Sequence, residues 1–306
     1  MTLAILCPGQ GGQHPDMFDL VAECPEAEAV LSLARQVLPV PPLELVTDPA
    51  LMFTNRIAQP LVCTAILARW QAIKTRLPTP GLVLGYSVGE LAAHAIAGTM
   101  TVERCLQLAG RRAELMDAAS PAEAGLTAVL GLSRDHLTAL AAAPRTAIAI
   151  VNGARHFVVG GTVTDLEALE QEAEALGASI RRINVTVPAH TPWLTRAAEA
   201  FTEQLAGSEL ASPRLPILAG IDSRVVRDAA GAAATLGAQV AGTVQWQQCL
   251  TEAVERGATV LLELGPGNAL VKMARELYPD CEARSLDEFK SLDGALSWVE
   301  RVLDKS

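Results

Sequence analysis

The sequence predicts an α/β fold: a mostly parallel sheet with helices on both faces, interrupted by an inserted ferredoxin-like unit. Three observations predict it. Short apolar runs alternate along most of the 306 residues with segments whose apolar positions recur every three or four, the pattern of strands joined by helices. Three of the runs end in glycine-rich turns, at 8–13, 85–89 and 265–267. Over 126–187 the order changes to strand, helix, strand, strand, helix, strand, which is the ferredoxin-like arrangement.

Taken in order, residues 2–8 are a continuous apolar strand leading into the first glycine-rich loop. Periodicity places helices over 26–38 and 57–77, punctuated by the prolines at 39–42 and 78–80. A buried strand over 82–85 turns sharply into a helix over 88–97, which Gly98 ends as a C-cap, and another helix runs over 101–117. The small, polar stretch 118–125 reads as a hinge. In the inserted unit the strands are 126–130, 146–151, 156–159 and 180–187, and the helices are 133–143 and 164–176. A hairpin-like loop at 152–155 joins the middle strands. The larger pattern resumes with a helix over 190–205, strands over 215–221 and 259–264, and a helix over 244–256 between them. Helices over 268–277 and 291–303 flank a short strand near 283–286. The chain thus divides into a large α/β core, 1–125 and 189–306, and a small unit, 126–188. Ligands of such sheets bind beyond the carboxyl ends of the strands, where all three glycine turns fall.

Half of the residues are apolar, enough for a full core without covalent staples. The six cysteines contain no C-x-x-C pair and no Cys/His cluster at zinc spacing, which argues for a reducing compartment and against a structural metal. The first apolar run lacks a basic flank and stops at Pro8-Gly9, so it reads as a strand and not a signal peptide. No apolar run reaches membrane-spanning length, and a cytoplasmic location is expected. With a net charge of −10 and scattered basic residues, neither nucleic acid nor membrane is an expected partner.

Gly85-Tyr86-Ser87-Val88-Gly89 has the layout of a nucleophile elbow, as in a hydrolase-like core. Small flanking residues permit the tight turn. The serine hydroxyl emerges at the carboxyl end of a strand, beside N–H groups able to hold a developing oxyanion. Ser87 followed three residues later by Glu90 also reads as a capping box, which only starts a helix, and both readings stay open here. The loop Pro8–Gln13 is not a P-loop, because it has no lysine. Nor is it a dinucleotide fingerprint, because the sixth position from Gly9 is His14. It does let a ligand approach its backbone N–H groups.

A serine nucleophile needs a base. His94 lies two turns along the helix that follows Ser87 and reads as packing. His136 and His156 fall in the inserted unit, and His14 lies in the first loop, on the side of the sheet expected to hold the site. His190, in Val187-Pro188-Ala189-His190-Thr191-Pro192, sits where the chain re-enters the core between two stiffening prolines. It is the best-placed base; a solvated histidine at a helix start is the alternative.

Further pieces complete a pattern: Arg112 with Met116, Asn152 ahead of His156-Phe157-Val158-Val159-Gly160-Gly161, Val244-Gln245-Trp246, and Glu263-Leu264-Gly265-Pro266-Gly267. With the first loop, the elbow and the His190 segment, these ordered motifs span the chain, which resembles the malonyl-CoA:acyl carrier protein transacylases and related acyltransferase domains. The resemblance implies that Ser87 carries the acyl group and that His190 is base and then acid. It implies an oxyanion hole from the N–H groups of Gln10 and Val88. Gln245 would orient His190 through its backbone carbonyl, and Arg112 would bind the malonyl carboxylate, since a guanidinium grips a carboxylate bidentately. Arg112 or its neighbour Arg111 also reads as an ordinary surface arginine. Malonyl-CoA is the implied substrate, with no permanently bound cofactor and no metal, and an acyl carrier protein is the implied partner.

The residue before the serine is usually histidine in this family; here it is Tyr86. A Gly-Tyr-Ser-Val-Gly-Glu elbow looks like the transacylase (epsilon) subunit of bacterial malonate decarboxylase. That implies a carrier subunit bearing a phosphoribosyl-dephospho-CoA arm, with the other decarboxylase subunits as further partners. The alternatives are a malonyl transacylase of fatty-acid synthesis, an α/β-type thioesterase, and a docking subunit without turnover.

Overall fold

A computed structural model describes residues 2–142 and 145–304. Among the described residues nine strands form two sheets. The first contains β1 (Thr2–Cys7), β2 (Leu82–Gly85), β7 (Ile217–Leu218), β8 (Ala258–Glu263) and β9 (Glu282–Ser285) in the order β7-β2-β1-β8-β9. Every pairing in it is parallel. β1 after Thr2, β2 and the last four residues of β8 are buried, as strands covered on both faces must be, which is why they read as apolar runs. The turns after β1, β2 and β8 therefore emerge at one end of the sheet.

The second sheet contains β3 (Ala124–Leu130), β4 (Ala147–Gly153), β5 (His156–Thr162) and β6 (Ser179–Ile183) in the order β4-β5-β3-β6, all antiparallel. Helices Arg134–Ala141 and Val163–Ala175 accompany it, and Val129, Leu137, Phe157, Val159, Leu166 and Leu169 form a hydrophobic cluster apart from the main core. The expected end of the first of these helices at residue 143 lies outside the described residues. β4 is tied to the first sheet's connections: Val244 donates its N–H to Ala149 and accepts from Val151, both at 2.9 Å.

Most expected elements are present, with shifted bounds. The strand expected over 215–221 shortens to Ile217–Leu218, because the chain folds back on itself: Ala219 N–H bonds Arg224 O and Val226 N–H bonds Ile217 O, both at 2.9 Å. The strand expected over 180–187 stops at Ile183. The helix expected to start at His190 begins later, as a 3-10 turn at Pro192–Leu194 followed by Thr195–Ala206. Helix Ala229–Gln239 has no counterpart among the elements expected from the sequence, and neither do the short helices Pro42–Leu45 and Pro49–Met52. The alanine run of Ala229–Gln239 gives little periodicity, but Asp228 caps this helix by accepting from Gly231 N–H at 2.7 Å. No helix of the described residues is long and apolar enough to cross a membrane.

An ion pair between a buried arginine and a partly exposed aspartate holds the turn after β8. Arg69, fully buried in helix Asn55–Ile73, donates to Leu264 O at 2.7 Å and Met17 O at 2.6 Å and pairs with Asp287 at 2.6 Å. Asp287 also accepts from Gly267 N–H and contacts His14 Nε2 at 3.0 Å. Removing the aspartate strands the buried guanidinium charge. Asp287→Ala is therefore expected to lower the unfolding free energy by about 3 kcal/mol in urea titrations; a loss under about 1 kcal/mol would show that the guanidinium is compensated elsewhere.

Candidate active site

The elbow is assembled by close backbone approach. A Cβ on Gly85 would lie 2.2 Å from Glu90 Cα, and one on Gly89 would lie 2.3 Å from the carbonyl oxygens of Cys7 and Pro8. Only glycine permits either contact. The crossing forces Ser87 to φ +55, a left-handed conformation that costs a serine about 1–3 kcal/mol and is held by its surroundings. The Ser87 Oγ thereby points at His190 Nε2, 2.7 Å away.

His190 is also left-handed, at φ +62, and is buried. Its N–H bonds Val240 O at 2.9 Å, and its Nδ1 lies 2.6 Å from Gln239 O. A carbonyl can only accept, so Nδ1 carries the proton and Nε2 presents a lone pair to the serine hydroxyl. Burial first, and the nearby positive charge of Arg112 second, push its pKa down to about 3, so the base is neutral at physiological pH.

The carbonyl in question corrects one expectation. It belongs to Gln239, not Gln245. The Gln245 carbonyl accepts from Cys249 N–H at 2.9 Å in the first turn of helix Trp246–Glu255, and its side chain reaches Thr243 O at 3.3 Å. Gln239 ends the unforeseen helix Ala229–Gln239, so no motif in the sequence marked it; the Asp228 cap and the alanine run were the available signals.

The capping-box reading of Ser87 and Glu90 is also overturned. Helix Gly89–Ile96 has Val88 as its cap, with no side-chain capping bond. Glu90 is buried and accepts from Gly220 N–H at 3.0 Å and from the Gln239 amide. Burial raises its pKa to about 8.

The two arginines separate cleanly. Arg111 is exposed and pairs with Glu114 at 3.0 Å. Arg112 is buried, donating to Gln59 Oε1 at 2.7 Å and Gln239 Oε1 at 3.2 Å. Among the described residues no carboxylate pairs with it. Burial lowers its pKa only to about 10, so it stays cationic at neutral pH. A buried cation held by neutral amides is suited to an anion that arrives with a ligand. Among the described residues neither Gln10 N–H nor Val88 N–H has a protein acceptor, which leaves both available to an oxyanion.

The remaining histidines take other roles. His94 is buried against Thr99 at 3.1 Å, His14 pairs with Asp287, and His156 is 3.5 Å from the Asn152 amide. Tyr86 packs edge-on against Trp246, with ring centroids 5.3 Å apart at 80°.

Because His190 stays neutral well below pH 6, inactivation by phenylmethylsulfonyl fluoride is expected to keep its rate from pH 8 to pH 5.5. A histidine with the ordinary pKa would lose about tenfold by pH 5.5, and that loss would show the base to be solvated.

With this geometry in hand, comparison with known proteins gives a consistent result. The acyl transferase domain profile matches residues 5–286. The malonyl CoA-acyl carrier protein transacylase of Mycobacterium tuberculosis H37Rv is 32% identical over 310 residues, covering 95% of this chain and 98% of that protein. The crystal structure of an acyl-carrier-protein S-malonyltransferase from Burkholderia pseudomallei 1710b superposes with a TM-score of 0.91 at 29% identity, covering 97% of this chain and 100% of the other. A malonyl-transacylase solved in complex with its type II polyketide-synthase acyl carrier protein also superposes at 0.91, with 25% identity over 97% of this chain and 99% of its own. The chain belongs to the acyl transferase family that includes these malonyl transacylases.

Proposed function

We propose that the protein is a malonyl-CoA:acyl carrier protein S-malonyltransferase working through a malonyl ester on Ser87. The observation that carries this reading is the Ser87–His190 contact at 2.7 Å beside the buried, uncompensated Arg112. Ser87 Oγ attacks the thioester carbonyl of malonyl-CoA while its proton passes to His190 Nε2. The tetrahedral oxyanion is held by the Gln10 and Val88 N–H groups. Collapse breaks the carbon–sulfur bond, and the departing CoA sulfur takes the proton from His190. The carrier's thiol then gives its proton to His190, attacks the ester and restores the serine hydroxyl. Arg112 holds the malonyl carboxylate throughout, and Gln239 O keeps the His190 ring in register. Malonyl-CoA is a substrate, and the scheme needs no resident cofactor.

A thioesterase reading would place a carboxylate at His190 Nδ1, where the structure has a carbonyl. Intact mass measurement after incubation with malonyl-CoA is expected to show a malonyl adduct on the wild type and none on Ser87→Ala. Arg112→Ala should lower kcat/KM for malonyl-CoA by about 10- to 100-fold, the worth of a charge-assisted hydrogen-bonded pair, and Arg111→Ala should leave it unchanged. Rapid malonyl-CoA hydrolysis without an acceptor would overturn the transferase reading.

The acceptor belongs to the same proposal: the carrier subunit of a cytoplasmic malonate decarboxylase, with the other decarboxylase subunits as further partners. Its support is the Gly-Tyr-Ser-Val-Gly-Glu elbow, with Tyr86 where the family usually has histidine. The acylated enzyme is expected to prefer a carrier with the phosphoribosyl-dephospho-CoA arm over one with phosphopantetheine. The reverse preference would assign it to fatty-acid synthesis. In domain terms we read 126–188 as a ferredoxin-like insertion in a core of 1–125 and 189–306; the β4-β5-β3-β6 order and the separate hydrophobic cluster support that division.

A further inference from the structure

Glu90 is a buried titratable group that the transfer scheme leaves unused. It lies in the first turn of helix Gly89–Ile96, three residues after the nucleophile. Its Oε2 accepts from Gly220 N–H and from Gln239 Nε2, and that same Nε2 is 3.3 Å from Ser87 O. These two acceptors fix the orientation of the Gln239 amide. With Nε2 facing Glu90 and Ser87, Oε1 must face Arg112, which donates to it at 3.2 Å. A flipped amide would set NH2 against the guanidinium, which cannot accept, and C=O against Ser87 O, which cannot donate. The backbone carbonyl of the same residue holds His190 Nδ1.

We propose that Glu90 is a positioning residue: by locking the Gln239 amide it sets the base His190 and the cation Arg112 together. One glutamine thus ties the group that activates the nucleophile to the group that reads the substrate, and Glu90 is its anchor. The role needs an acceptor at Oε2, not a negative charge. Oε1 has no hydrogen-bond partner among the described residues. The charged or titratable groups around Glu90 are Arg112 on helix Val102–Ala119, Asp222 beyond β7 and Cys249 on helix Trp246–Glu255. Burial keeps the carboxyl neutral at pH 7. An ionised Glu90 would instead compete with an incoming carboxylate for Arg112.

The His190 half of this inference stands without the malonyl-transfer reading; the Arg112 half rests on it. Three readouts on the full chain separate them: the rate of Ser87 sulfonylation by phenylmethylsulfonyl fluoride, the preference for malonyl- over acetyl-CoA in adduct formation, and the melting temperature. Glu90→Ala is expected to slow sulfonylation and to reduce the preference, each about tenfold, and Glu90→Gln to recover most of both, since its carbonyl oxygen replaces Oε2. Gln239→Leu, which keeps the backbone carbonyl, should match Glu90→Ala. The double variant should be no worse than Gln239→Leu alone, as for residues acting in one chain. Above pH 8, kcat/KM for malonyl-CoA should fall in the wild type and not in Glu90→Gln. A lowered melting temperature with wild-type sulfonylation and preference overturns the proposal. So do additive losses in the double variant, or a Glu90→Gln variant as defective as Glu90→Ala. If Glu90→Ala does not fold, Glu90→Gln and Gln239→Leu carry the same decision. A wild type that sulfonylates normally but takes no malonyl adduct overturns the substrate reading and leaves the His190 arm decisive.

Discussion

The site depends on one steric constraint: three backbone segments cross at distances that admit no Cβ. The end of β1, the elbow and the first turn of helix Gly89–Ile96 meet at Gly85 and Gly89, where an added methyl would fall 2.2–2.3 Å from main-chain atoms. That crossing supplies the left-handed backbone of Ser87 and the orientation of its hydroxyl, and the first loop approaches the elbow at Gly9, where a Cβ would lie 2.9 Å from Tyr86 O. The conformational cost at Ser87 is balanced by packing, because β1 and β2 are buried and paired in register from Ala4–Leu82 to Cys7–Gly85.

Around that crossing, charge is rationed by burial. His190 is held neutral, Glu90 is held protonated, and Arg112 alone keeps its charge at neutral pH, bonded to the side-chain oxygens of Gln59 and Gln239. Desolvation acts on all three, but an arginine starts so far above neutrality that a fall to about 10 leaves it cationic. The result is a set of buried groups with one positive charge. A dicarboxylic acyl group supplies the matching negative charge, and an acetyl group does not, so selectivity and catalysis draw on the same low-dielectric environment.

The first sheet and the second are coupled where this chemistry occurs. Val244 bonds to β4 through both its N–H and its C=O, and two residues later Trp246 makes a near-perpendicular ring contact with Tyr86, the residue next to the nucleophile. His190 lies on the segment returning from β6. The base and the wall beside the serine are therefore both placed by the contact between the sheets.

The local features were legible in the sequence because they are short-range. Alternating apolar runs and periodic segments place most of the strands and helices, and glycines flanking a serine mark a turn whose geometry three residues determine. Ser87 and His190 could be named from the elbow and from the proline-flanked junction, whereas Gln10, Val88 and Arg112 were implied by the family resemblance. What only the tertiary structure decided is which long-range partner each would meet. Arg111 and Arg112 are adjacent in sequence, and only packing put one in solvent and the other beneath the site. Ser87 and Glu90 have capping-box spacing, yet Glu90 turns away to Gly220 and Gln239, some 130 and 149 residues distant. Gln239 itself ends an alanine-rich helix with no distinguishing pattern, and its backbone carbonyl, which every residue possesses, is what holds His190. A main-chain acceptor leaves no trace in residue identity, so only the folded chain could show that the role falls to Gln239 and not to Gln245.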